Sequence, residues 1–389
     1  MSLRLHNTLT DELEDFRPIE PLGVNMFVCG PTVYDFAHIG NAKTYTQFDV
    51  IARILKYIGY NLTYLQNITD IDDKIIVRAA ELGIEPHQLA REYEEHYLRD
   101  MQSLNNTNVD KYARAHDYIP QIVDQVKRLV EKGFAYKISD GYYFDIKAFS
   151  EYGKLSGRTS LEPDDSVSRI DENPEKKDQR DFCLWKFRKD SDPYWPGELG
   201  VGRPGWHIED TAITETEFGP QYDIHGGAVD LIFPHHEAEI AQMEAVSGKK
   251  PFVKYWLHTG FLNVDSQKMS KSKNNFHTIR DVISGGFSPL ALRYLFLLSH
   301  YRTPVNFTWE ALTAAQNAYN KLKNFVLRLD EGGEVDQAYK AKFVEKLEND
   351  LNTPQALAVV WTLVKDKEVA NNNKLATLRD FDKVLGLGL

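Results

Sequence analysis

The sequence predicts an α/β protein: a parallel sheet interrupted by an inserted segment, followed by an α-helical bundle. Three observations carry this. A strand, a helix and a second strand succeed one another between Val24 and Asn67, a βαβ unit that implies parallel pairing. Residues from about 135 to 205 change character, with short strand candidates such as Tyr142–Ile146 and then a polar, charged, proline-bearing stretch near 160–180. Beyond about residue 285 the apolar residues recur at helical spacing.

The chain has 389 residues, enough for a large core and two or three domains. Its 42% hydrophobic and 26% charged content is ordinary for a globular protein. It has no apolar run long enough to span a membrane, and its N-terminus lacks a signal-peptide core. Cys29 and Cys183 are the only cysteines, which excludes a disulfide scaffold and fits a reducing cytoplasm. A net charge of -11 excludes a chain that is basic throughout, but leaves room for a local basic face. Lys176, Lys177, Arg180, Lys186, Arg188 and Lys189 form one such stretch, and Lys268, Lys271 and Lys273 another.

In chain order, residues 1–23 read as a lead-in broken by Pro18 and Pro21. Val24–Val28 reads as a buried strand, and the turn Cys29-Gly30-Pro31-Thr32 follows. A helix from His38 to about Ile58 presents Phe48, Ile51, Ile54, Leu55 and Ile58 to a sheet. Asn61–Asn67 is the next strand, and the carboxylates of Thr69–Lys74 suit the start of another helix. Residues 85–133 are helical by period. The α/β pattern resumes at Gly205–Asp210 and continues through Tyr222–Gly227, a helix beginning near Phe233 and a strand near Tyr255. Leu292, Leu295 and Phe296 mark one later helix, and Leu312, Ala315, Ala318, Tyr319 and Leu322 another. Thr353 is expected to cap a further helix, with Pro354 at its first position. The resulting divisions are 1–134, 135–204, 205–265, 266–304 and 305–389.

Two short motifs carry phosphate chemistry. His38-Ile39-Gly40-Asn41 joins a strand and a turn to a helix start, where free backbone N–H groups and the macrodipole favour phosphate. Gly40 permits close approach of a nucleotide, and His38 can donate to a phosphate oxygen or simply cap the helix. Lys268-Met269-Ser270-Lys271-Ser272 places mobile cations and hydroxyls in one loop, suited to a triphosphate whose charge shifts, or to a solvated basic turn. A third group is metal-like. His235 and Glu239 are four apart on one helix face, Cys29 follows the first strand, and Asp210 follows a strand candidate around Trp206. All four residue types ligate zinc. The alternative is a structural His235–Glu239 hydrogen bond with Cys29 as a small buried apolar residue. Cys183 reads as packing.

The paired motifs resemble the signatures of class I aminoacyl-tRNA synthetases. Met26–Asp35, Gln66–Lys74, Asp181–Lys186, Gly205–Glu209 and Phe233–Glu239 are similar to runs of the cysteinyl-tRNA synthetase family, and the likeness extends from about residue 24 to the end. The resemblance implies a Rossmann-like parallel-sheet catalytic domain in two halves (1–134 and 205–265), an insertion (135–204), a loop and stem-contact region (266–304), and a helical bundle (305–389). It implies ATP-dependent activation of L-cysteine to cysteinyl-adenylate, then transfer to the 3′ end of tRNA(Cys). His38, Asn41, Lys268 and Lys271 would be catalytic, with Gly30, Gly40 and Ser270 also at ATP. Cys29, Thr32, Thr69, Trp206 and His225 would surround cysteine. Zinc would be held by Cys29, His235, Glu239 and the residue after Glu209, where the family has cysteine and this chain has Asp210. Mg²⁺ would accompany ATP. The expected protein is a cytoplasmic monomer whose partners are tRNA(Cys), ATP and L-cysteine. The family's small anticodon-reading domain would follow the bundle, and this chain is expected to lack it, stopping at Leu389. Two other functions stay open: a ligase joining cysteine to a small amine, as in mycothiol-type pathways, and a non-catalytic RNA-binding protein derived from a synthetase.

Overall fold

The computed structural model describes residues 3–158, 173–189, 192–269 and 275–389. The chain begins with a hairpin, β1 (Arg4–Asn7) and β2 (Glu12–Asp15), where an unstructured lead-in was expected. These strands are short and polar, and their prolines come only after the hairpin has closed. Next come β3 (Gly23–Val28), α1 (Ile39–Tyr57), β4 (Asn61–Ile68), α2 (Asp73–Leu82) and α3 (Pro86–Ser103). Asp72 caps α2 by accepting from the Lys74 amide. The 85–133 segment is not helical throughout. It contains strand β5 (Lys111–Arg114) before α4 (Ile119–Glu131). Four residues with a charge at each end suit the edge of a sheet, and they are too few for a period to show.

An antiparallel sheet follows, β6 (Ala135–Ile138), β7 (Gly141–Phe144), β8 (Cys183–Phe187) and β9 (Gly202–Pro204), paired in chain order. The parallel fold then continues through α5 (Ile208–Phe218), β10 (Tyr222–Ala228), α6 (Glu237–Ser247) and β11 (Val253–Thr259). Asp210 therefore sits in the first turn of α5 rather than after a strand at Trp206. The helix expected near Phe233 does not start there: Phe233 is extended, at a kink within Ile232–His236, and regular helix begins at Glu237.

Five strands, ordered β11-β10-β3-β4-β5 and all parallel, form the central sheet. The order reverses between β3 and β10, so the carboxyl ends of these two strands flank the crevice where such sheets bind ligands. β3 alternates as a strand must. Val24, Met26 and Val28 join a core with α1, whereas Phe27 and Cys29 join the opposite core with α4, α5 and α6.

The remaining elements are β12 (Leu262–Val264), β13 (Gln267–Lys268), α7 (Ile279–Ser284), α8 (Pro289–Leu297), β14 (Val305–Phe307), α9 (Trp309–Val326), α10 (Gln337–Glu348), α11 (Thr353–Lys365) and α12 (Asn371–Leu385). The cap of α11 is Asn352, which accepts from Gln355, one residue earlier than expected, and Pro354 falls at the second helical position. Among the described residues no helix is long and apolar enough to cross a membrane.

Candidate active site and metal centre

The side of the crevice expected to hold phosphate begins at α1. His38 caps the helix, its Nδ1 accepting from the Asn41 amide at 3.1 Å. An acceptor at Nδ1 places the proton on Nε2, so the capping role and a donor role toward phosphate coexist in one ring. Gly40 is tightly enclosed: a Cβ there would lie 2.8 Å from His38 Nδ1 and 3.1 Å from the Met269 methyl. Met269 belongs to the lysine-rich loop, so the two motifs meet at Gly40. The chain just beyond the loop closes the same contact. The Ile39 amide donates to His277 O at 2.9 Å, and Phe276 stands edge-on to His38 with centroids 5.3 Å apart. The side chain of Lys268, together with Ser270 and Lys271, lies outside the described residues.

A cavity of about 240 Å³ opens beside this helix start. Gly30, Thr32, His38, Asn41, Thr69 and Trp206 line it, and so do Cys29, Asp210 and His235. Gly30 must be glycine, because a Cβ would fall 1.7 Å from Asn67 O. A second cleft of about 600 Å³ adjoins the first, sharing Thr32, Tyr34 and Trp206, and is bordered by Lys186 and Arg203 from the inserted sheet. Both cations pair with Asp73 at the start of α2.

At the cavity wall Cys29, Asp210 and His235 converge with Glu239, which does not itself line the cavity. The Cys29 Sγ lies 3.5 Å from Asp210 Oδ2 and 3.8 Å from Glu239 Oε1. The His235 Nε2 lies 3.0 Å from each of these oxygens. All four side chains are buried. Donors bound at about 2.0–2.3 Å around a tetrahedral ion stand roughly 3.3–3.8 Å apart, and with the two His235 distances only slightly shorter the set suits a small divalent cation. Its electrostatics ask for one. Burial, then Glu239 and Asp210, push the Cys29 thiol well up, and burial and Asp210 push the Glu239 carboxyl up. Asp210 Oδ1 and Glu239 Oε2 are buried without a hydrogen bond. An ion would turn each of these costs into a bond.

A ring of partners orients the donors. His235 Nδ1 meets His207 Nδ1 at 2.8 Å, and Trp206 stacks on His235 at 4.4 Å. The Thr69 hydroxyl donates to Glu209 at 2.7 Å. Burial holds the imidazoles of His207, His225 and His236 neutral. The structure thus gathers Cys29, Asp210, His235 and Glu239 around one point, with Thr32, Thr69 and Trp206 on the adjoining wall. His225 does not line the cavity; it lies behind Cys29, its Nε2 3.3 Å from the sulfur. Sequence reasoning missed His207, His236 and Glu209. The His235-His236 doublet and the Gly205–Glu209 run were the available signals.

Comparison with known proteins agrees with this geometry. Residues 15–317 match the model for the tRNA synthetases class I (C) catalytic domain, and residues 342–389 match the DALR domain. A cysteine–tRNA ligase of Thermoplasma acidophilum is 52% identical over 306 residues, covering 79% of this chain and 67% of that protein. The cysteine–tRNA ligase of Carboxydothermus hydrogenoformans is 42% identical over 387 residues, 96% of this chain and 83% of its own. Among solved structures, Mycobacterium tuberculosis methionyl-tRNA synthetase bound by methionyl-adenylate shares the fold, with a TM-score of 0.65 at 16% identity over 94% of this chain and 90% of that one. The family model that matches residues 15–317, together with relatives this similar over this much of the sequence and a strand-order reversal flanked by the α1 start and a cysteine-containing donor set, places the chain in the cysteine–tRNA ligase family of class I tRNA synthetases.

Proposed function

We propose that this protein activates L-cysteine with ATP and transfers the cysteinyl group to the 3′ end of tRNA(Cys). The observation that carries the reading is the position of the Cys29, Asp210 and His235 side chains on the wall of the same cavity as the His38–Asn41 helix start. A cysteine whose side chain reaches these donors has its carboxylate directed toward the phosphate side. The carboxylate attacks the α-phosphorus of ATP, and pyrophosphate leaves. His38 Nε2–H donates to a phosphate oxygen beside the positive end of the α1 dipole, and Lys268 and Lys271 stabilise the charge that develops on the leaving group. Mg²⁺ accompanies the nucleotide. Trp206, Thr32 and Thr69 shape the amino-acid pocket. Zinc suits the donor set, and when bound it would take a thiolate in preference to a neutral hydroxyl, which separates cysteine from serine. A ribose hydroxyl of the tRNA then attacks the activated carbonyl and AMP leaves. The larger cleft, with Lys186 and Arg203 at its border, suits the entry of the acceptor end.

ATP–pyrophosphate exchange with cysteine, with serine and with no amino acid tests the first step, and transfer of labelled cysteine to tRNA(Cys) or to an amino sugar tests the second. The expected result is exchange with cysteine alone and label on tRNA. Absence of exchange would favour a non-catalytic RNA-binding protein, and label on the amino sugar alone an amine ligase.

A further inference from the structure

Beside the outer donors Cys29, Asp210, His235 and Glu239 lies a second, overlapping set. The Cys29 Sγ is 3.3 Å from His225 Nε2 and 3.2 Å from His236 Nε2, and His225 Nε2 is 3.4 Å from Glu239 Oε2. All four ligand atoms lie within 4.8 Å of one another, and all four side chains are buried. Glu239 Oε2 makes no hydrogen bond. Both imidazoles are prepared as ligands in the way metal-binding histidines are, with the far nitrogen held. Tyr222 OH holds His225 Nδ1 at 2.6 Å. His258 Nε2 holds His236 Nδ1 at 2.8 Å, and Thr8 Oγ1 holds His258 Nδ1 at 2.7 Å.

We propose that Cys29, His225, His236 and Glu239 form an inner seat for a divalent first-row cation, behind the outer seat of Cys29, Asp210, His235 and Glu239. The inference rests on the reading that Cys29 and Glu239 ligate an ion. Both seats need these two residues, so one ion occupies one seat at a time. The outer seat offers one sulfur, one nitrogen and two oxygens, whereas the inner seat offers one sulfur, two nitrogens and one oxygen. Imidazole suits zinc better than carboxylate does, so the inner seat competes for the ion that Asp210 holds less softly than a thiolate would. The seats differ in access. Asp210 and His235, which belong to the outer seat alone, line the cavity, whereas His225 and His236, which belong to the inner seat alone, do not, and Trp256 stacks on His225 at 4.3 Å. An ion in the inner seat is held in part by His225 and His236, which do not line the cavity.

The test uses the full chain loaded with zinc alone. His235→Ala and, separately, the near-isosteric Asp210→Asn each remove a donor unique to the outer seat. Each variant is expected to retain one zinc per chain with affinity within about tenfold of the parent, and X-ray absorption fine structure should count two imidazoles on the ion. Adding His225→Gln and His236→Gln to either variant should abolish binding. Circular dichroism confirms folding, and Asp210→Asn decides the matter if His235→Ala does not fold. Loss of zinc from folded Asp210→Asn, or a count of fewer than two imidazoles in it, would overturn the inner seat while leaving the outer one intact. A parent protein that takes up no zinc would refute the metal reading itself.

Discussion

Asp210 and Lys43 are two residues whose chemistry this fold has had to accommodate. Asp210 offers an oxygen donor where sulfur would bond about 0.1–0.3 Å farther from an ion. Asp210→Cys should therefore keep the metal and leave cysteine-dependent exchange within about tenfold of the parent; a hundredfold loss would show that the carboxylate has a role beyond ligation. Lys43 is fully buried on α1, donating to Gln47 Oε1 at 2.9 Å and Gly260 O at 2.6 Å. Burial lowers its ammonium from 10.5 to about 7. The unfolded chain therefore binds the proton more tightly between pH 7 and 10.5, so stability rises with pH across that window and the penalty is complete below it. Its size is of order 5 kcal/mol. Measured by urea unfolding, the parent should gain several kcal/mol on Lys43→Met between pH 7 and 10, and parallel pH profiles would contradict this. The four outer donors were legible because His235 and Glu239 share a helical spacing and Cys29 ends a strand. The inner histidines were not legible as ligands, because His225 lies on β10 and His236 just before α6, and only the tertiary fold brings both to Cys29.

At the scale of elements, the start of α1 and the lysine loop act as one unit. Their contact through Gly40 and Met269 depends on an enclosed glycine and on the Ile39–His277 hydrogen bond. In the proposed mechanism the loop's cations address phosphate, so Lys268→Ala or Lys271→Ala should raise the barrier to adenylate formation by about 2–4 kcal/mol, the loss typical of one preorganised donor. Cysteine binding should change little. Exchange kinetics at saturating cysteine read the effect, and parental rates in either variant would remove the lysines from the mechanism. Long elements were readable from their period, as α1 and β4 show. The missed elements are short: β1, β2 and β5 have four residues each, and polar edges give no apolar alternation to detect. Asn352 displaced Thr353 as a cap because both side chains can accept the same amide, and the sequence offers no means of choosing between them.

Across the whole molecule, Arg293 joins the sheet to the bundle. It is completely buried on α8, donating to Asp49 Oδ2 on α1 at 2.7 Å, Leu104 O at 3.0 Å and Leu385 O at the end of α12 at 2.7 Å. Arg293→Met leaves Asp49 and two carbonyls buried with fewer partners and should cost about 3–5 kcal/mol in urea unfolding. A change under 1 kcal/mol would show that the bundle is held by apolar packing alone. The order of strands and helices was readable from the chain, but this junction was not, because its partners lie up to 244 residues apart in sequence. The central claim is that a metal-dependent thiol site and an ATP site share one cavity. Its most direct test is cysteine-dependent ATP–pyrophosphate exchange before and after the metal is stripped by a chelator. Exchange should fall at least a hundredfold on stripping, return on adding zinc, and stay absent with serine throughout; metal-free protein that still exchanges with cysteine at the full rate would contradict the account.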